Sequence, residues 1–216
     1  MPAPDAGRFF PALILALGLA VGFPAVLAGG PAADPGAGPA VDSAAPPAPK
    51  GGTWEYWNNQ GVEAVKQEKY AEGLGCLEKA RQMTSEPTVE KNLRESHFGA
   101  GKDALAHERY SEAQDYFSAG KERFPEEEKF AEALAETHFR WGVFYRDRKK
   151  YDKAVEYIRR SLDEGRDLES TREILGECLF HLNRNEDALL VLDRLPQAAR
   201  EKKEILFLRG HLAYAG

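Results

Sequence analysis

Small and bulky apolar residues recur along this chain at fixed offsets, separated by short polar turns. The stretch from Gly99 to Pro125 sets the pattern: Gly101, Tyr110 nine residues on, Ala113 three beyond that, then Phe117 and Pro125. The same offsets fit four times. Gly61, Gly101, Gly142 and Gly176 are followed after nine residues by Tyr70, Tyr110, Tyr151 and Asn185. After twelve come Gly73, Ala113, Ala154 and Ala188, and after sixteen Leu77, Phe117, Ile158 and Leu192. Small residues at a crossing point let two antiparallel helices approach, and bulky ones a turn away fill the space beside the crossing. A single hairpin cannot bury its apolar face, so hairpins must stack; a period of 34 to 41 residues predicts an array of them.

These units resemble the tetratricopeptide repeat family. That family places an aromatic residue, a Leu-Gly pair and a Tyr on one helix, then Ala, an aromatic residue and Pro on the next. Here the first half reads Trp57, Gly61 and Ala64 in the first copy, Trp141, Gly142 and Tyr145 in the third, and Leu175, Gly176 and Leu179 in the fourth. His97 and His138 stand where the family prefers a bulky apolar residue, Gly120 replaces a helix alanine, and only Pro125 falls at the closing proline. The resemblance runs from Trp54 to the C-terminus. It implies an all-α, right-handed solenoid of about nine helices, with units near 54–87, 94–127, 135–168 and 169–202 and a partial unit at 203–216.

Local signals refine the units. The second helix of the first unit is expected to start near Ala71 and to end before Thr84-Ser85-Glu86-Pro87. The extra residues Thr88 to Leu93 and Glu128 to Leu134 are helix formers, expected to lengthen the next first helix by nearly two turns. Ser111 with Gln114 reads as a capping box, Gly165 as a helix C-cap, and Pro196 as an early stop for the second helix of the fourth unit. Residues 202–216 read as the first helix of a fifth unit, with Leu206, Gly210 and Ala213 in register and apolar residues nearly all round. Such a helix is expected either to be completed by a longer protein or to dock on another subunit, which allows self-association.

The N-terminal part is different material. Arg8 precedes a run from Phe9 to Ala28 without charge, ending in Val26-Leu27-Ala28: the layout of a secretory signal over residues 1–28. An uncleaved anchor is the alternative, with membrane contact only through residues 9–28. Residues 29–53, rich in Gly, Ala and Pro, read as a disordered tether. The repeats are therefore expected outside the cytoplasm, periplasmic or secreted, or else membrane-anchored.

Charge and chemistry narrow the function. A net charge of −6 argues against nucleic acid as partner, because neutralising phosphates needs clustered cations. The run Arg146, Arg148, Lys149, Lys150 reads as a solvated corner between helices. Cys76 and Cys178 fall in the first and fourth units, too far apart for a disulfide, and are expected to be separate buried thiols. His97 and His138 occupy equivalent places and read as a core pair rather than two ligands of a zinc site. No phosphate loop, dinucleotide fingerprint, zinc-helix motif or nucleophile elbow is present, so no catalytic residue, metal or cofactor is expected.

What remains is the concave face, which the resemblance assigns to the first helix of each hairpin. Its stripes are Phe98, Lys102 and Leu105; Phe139, Val143 and Arg146; Glu173, Glu177 and Phe180; and Phe207, His211 and Tyr214. The first unit offers Asn58, Val62 and Val65. Phe98 and Phe139 stand between two roles, groove anchor and core. The function expected is a non-enzymatic scaffold that holds a partner's peptide or helix in this groove. A self-associating structural module, or the N-terminal part of a larger envelope protein, are the alternatives.

Overall fold

Each recurring offset in the sequence lands on a fixed place in a helix hairpin. The computed structural model describes residues 52–214, so the proposed signal (1–28) and most of the tether (29–53) lie outside the described residues. Ten α-helices and no strand occur among the described residues: α1 Trp54–Lys66, α2 Tyr70–Met83, α3 Pro87–Ala106, α4 Tyr110–Arg123, α5 Glu128–Asp147, α6 Tyr151–Asp163, α7 Glu169–His181, α8 Asn185–Asp193, α9 Gln197–Arg200 and α10 Lys203–Tyr214. Helices α1 to α8 pack in chain order, and α1, α3, α5, α7 and α10 each also touch the next of their set. This is the all-α succession of hairpins that the spacing predicts.

The offset of sixteen is a steric lock. A Cβ built on Gly101 would lie 2.5 Å from the Phe117 ring, one on Gly142 2.6 Å from Ile158, and one on Gly176 2.5 Å from Leu192. In the first hairpin Gly61 meets Leu77 in the same way, at 2.6 Å. All four bulky partners are fully buried, at 0 % exposure. The offset of nine marks the first residue of each second helix, Tyr70, Tyr110, Tyr151 and Asn185.

The turn inside each hairpin is also repeated. Glu68, Glu108, Lys149 and Asn183 adopt left-handed backbone, with φ of 60°, 57°, 56° and 56°. In the second hairpin the Glu108 N–H donates to the Leu105 carbonyl and the Arg109 N–H to Ala104, and the other three turns match. This closure satisfies the last free carbonyls of the first helix. Gly165, at φ +96°, ends α6 by the same bonds, to Leu162 and, from Arg166, to Ser161.

Three local expectations resolve differently or more finely. Ser111 does not cap α4: the helix already starts at Tyr110, its N-cap is Arg109, and no side chain caps it. The left-handed turn at Glu108 delivers the chain into the helix two residues too early for Ser111 to be the N-cap. The helices number ten rather than about nine, because Pro196 both stops α8 and opens the four-residue α9. The inserted residues do lengthen α3 and α5, to 20 residues each against 13 in α1 and α7.

The core forms two apolar clusters. One gathers Trp57, Leu77, Leu93, Phe117, Phe130 and Leu134; the other gathers Ile158, Leu175, Leu179, Leu192, Ile205 and Leu212. Gly120 makes room for the first, since a Cβ there would stand only 2.1 Å from the Phe130 ring. Buried polar residues lie among the neighbouring turns of α5 and α6. Ser161 Oγ donates to the Ala135 carbonyl at 2.7 Å, Thr137 Oγ1 donates to Ala133, and His138 Nε2 lies 3.1 Å from Gln114 Oε1. His97 leaves Nδ1 without a hydrogen-bond partner, and no hydrogen bond or ring contact joins it to His138. The cysteines are free and buried; burial raises both thiols, that of Cys178 to about 12.

Candidate functional site

The positions that the sequence assigns to a groove form three equivalent rows on α1, α3, α5, α7 and α10. Three residues before each glycine stand Asn58, Phe98, Phe139, Glu173 and Phe207; one after stand Val62, Lys102, Val143, Glu177 and His211. Four after stand Val65, Leu105, Arg146 and Phe180. From α3 onward every one of these side chains is half-buried or exposed.

Five of them converge on one cavity. Arg146 of α5, Glu173, Glu177 and Phe180 of α7, and Phe207 of α10 line a space of about 600 Å³. His211 extends the aromatic rim: its ring centroid lies 4.5 Å from that of Phe207 and 6.4 Å from that of Phe180. Ile174 and Leu208 add apolar floor. Polar groups ring the space. Arg146 reaches Asp147 at 2.8 Å and Glu177 at 3.8 Å, while Lys202 is held by Glu173 and, at 3.7 Å, by Glu169. The bond to Glu173 holds the exposed Lys202 ammonium above its ordinary range. Lys203 and Glu204 also line the cavity, which therefore presents three carboxylates and two cations.

A second space of about 450 Å³ joins Leu105 of α3 to Phe139 and Val143 of α5. Its rim carries Glu136, Arg140 and Arg148. Phe139 has one face covered, since the Arg166 guanidinium lies 4.0 Å from its centroid and bonds Glu136 at 3.1 Å. Phe98 and Lys102 join neither cavity. The Phe98 ring leans on Phe117 and Phe130, at 5.8 and 5.7 Å, with Lys129 Nζ 4.9 Å above it. It is a wall of the core as much as a surface.

The sequence profile described as Tetratricopeptide repeat matches residues 98–169 and again residues 141–202. Over residues 98–202 the chain is thus similar to tetratricopeptide repeats. The first hairpin lies before the matched range but shares its glycine seat and turn. No curated protein matches the chain. Among solved structures, MamA AMB-1 is 17% identical over 74% of this chain and 82% of its own, with a TM-score of 0.36. MamA MSR-1 is 17% identical over 74% and 87%, with a TM-score of 0.34. A thermophilic TPR protein of Thermus thermophilus is 19% identical over 76% and 98%, with a TM-score of 0.28. Superpositions this loose carry no argument about function.

Within this array of hairpins, the sequence stripes left out Ile174, His181 and Phe144, each one residue beyond a chosen position. A helix face can show a stripe wider than i, i+4, i+7, so the neighbours at i+1, i+5 and i+8 were the available signal. Lys203 and Glu204 were hidden for another reason. They enter the cavity from the first turn of α10, whose placement depends on the break at Pro196.

Proposed function

We propose that this protein is a non-enzymatic interaction scaffold that seats a short peptide of a protein partner on the inner face of its tetratricopeptide hairpins. The cavity between α5, α7 and α10 carries the reading, because it combines an aromatic rim with charged groups on three different helices. An apolar or aromatic partner side chain would sit between Phe180 and Phe207. A basic partner residue would meet the carboxylates of Glu177 and Glu204, where cations are outnumbered. Interfaces of this kind draw most of their energy from a few aromatic anchors. We further propose an extracytoplasmic setting, motivated by the charge-free run that ends at Ala28; mass spectrometry of the expressed protein should then find a mature N-terminus near Gly29.

Selection from a random peptide library on the full chain tests the groove. Enriched peptides should pair an aromatic or aliphatic residue with Lys or Arg. Phe180→Ala should weaken them by about 1–2 kcal/mol. Peptides that bind wild type and the Phe180→Ala, Phe207→Ala double variant equally would remove this cavity from the account.

A further inference from the structure

Helix α5 is shared by both cavities and stands between them. Arg146 lines the larger one and Asp147 the smaller, and the two side chains are bonded to each other at 2.8 Å. On the smaller side Phe139, Val143 and Asp147 recur at i, i+4 and i+8, opposite Leu105 of α3. Both helices that wall this space have their neighbours in place: α3 packs on α2 and α4, and α5 on α4 and α6. The space is therefore internal to the array rather than a feature of its end. Like the larger cavity, it presents three carboxylates and two cations. Most of these charges are already matched. Glu136 is bonded to Arg140 at 2.6 Å and to Arg166 at 3.1 Å, and Arg148 lies 3.4 Å from the centre of the Phe144 ring. Glu108 on the smaller side and Glu204 on the larger have no ion-pair partner among the described residues.

Building on the groove reading, on which it rests, we propose that the space between α3 and α5 is a second anchor site for the same partner segment. That segment crosses α5 in extended form, with two apolar or aromatic anchors three residues apart and a Lys or Arg beside each. Packed helices stand about 8–10 Å apart, which sets the distance between sites on either side of α5. A polyproline-II strand, with three residues per turn and a rise of about 3.1 Å, puts residues i and i+3 on one face roughly 9 Å apart. A helix spans the same distance only with anchors seven residues apart, and its body of about 10–12 Å has to ride over α5. The narrower chain fits better. One anchor enters between Phe180 and Phe207, and the other between Leu105 and Val143. The surplus carboxylate in each cavity selects a basic residue there, and Glu108 and Glu204 meet it without giving up a partner. Between them the segment passes the neutral Arg146–Asp147 pair.

The test uses the full chain and three labelled synthetic peptides, titrated by fluorescence anisotropy. The first is Lys-Phe-Ala-Ala-Phe-Lys, the second has its second Phe replaced by Ala, and the third is an alanine-rich helix with two Phe residues seven apart. The two-anchor extended peptide should bind at least about tenfold tighter than the one-anchor peptide. Val143→Lys gives α5 the residue that Lys102 supplies at the equivalent position of α3. It should weaken the two-anchor peptide about tenfold and leave the one-anchor peptide unchanged. Glu108→Gln, a change confined to the surface turn, should weaken the two-anchor peptide at least about threefold. Phe180→Ala should weaken both extended peptides. Equal affinity for the one- and two-anchor peptides, or two-anchor binding untouched by both Val143→Lys and Glu108→Gln, overturns the second site. If Phe180→Ala still weakens binding, the groove reading survives that result. Tighter binding of the helical peptide overturns the extended form. No saturable binding of any peptide, or indifference to Phe180→Ala, removes the groove reading and the second site together.

Discussion

At the scale of the residue, the hairpins rest on a few positions with little tolerance. Three of the four left-handed turn residues are Glu or Lys, which lack glycine's freedom there and carry a cost of roughly 1–2 kcal/mol each. Glu108→Gly should therefore stabilise the fold by up to about 1 kcal/mol, after allowing for the extra entropy of an unfolded glycine. A thermal melt should rise by roughly 2–4 °C per kcal/mol for a domain of this size. Gly120→Ala should do the opposite, by about 1–3 kcal/mol, because the new methyl meets the Phe130 ring; Phe130→Leu in the same chain should recover part of the loss. The histidines make stability depend on pH. Burial, aided by Arg123 at His97 and by Arg160 at His138, depresses both below the ordinary imidazole range, against the opposing pull of Glu78 and Glu164. The unfolded chain then binds more protons than the folded one, so their contribution is whole above about pH 6.5 and is lost as pH falls through the depressed folded values. Melts from pH 7.5 to 5 should show this loss, and His97→Gln with His138→Gln should flatten it. The glycine seats could be read from sequence because each demands one partner at one distance. The turns could not, because Glu and Lys announce nothing left-handed.

At the scale of the element, length and end chemistry decide what each helix can reach. The long α3 and α5 carry Val89, Leu93, Phe130 and Leu134 into the first core cluster through the turns added at their N-termini. Those insertions were readable as helix formers, and they also account for the difficult assignment of Phe98. The longer α5 brings Phe130 against one edge of the Phe98 ring while Phe117 holds the other, so a residue in a groove row is drawn toward the core. Phe98→Ala should accordingly cost roughly 2–3 kcal/mol of stability, below the 3–5 kcal/mol typical of a fully buried aromatic. Chemical denaturation measures it; a loss under 1 kcal/mol would return Phe98 to the surface. The cap assigned to Ser111 failed at this scale too. Its side-chain pattern was right for a helix start, but the repeated turn starts α4 at Tyr110, and Arg109 instead pairs with Asp103 and Glu112.

At the scale of the whole described array, neighbour contacts are the stabilising unit, as in any stacked-repeat protein. The candidate site was half-readable on those grounds: Arg146, Glu177 and Phe180 follow from the period, whereas Lys203 and Glu204 depend on how the chain turns after α8. That turn has a consequence of its own. The nine-residue α8 and the four-residue α9 connect the anchored hairpins to α10, which supplies one wall of the larger cavity while α5 and α7 supply the others. A ligand that touches both walls therefore acts as a clasp, and by mass action its binding energy is added to the work of opening the C-terminal end. Amide protons of α10 should exchange fastest among the helices of the free protein and slow in proportion to ligand concentration. Those of α3 and α4 should keep the same exchange rates with or without it.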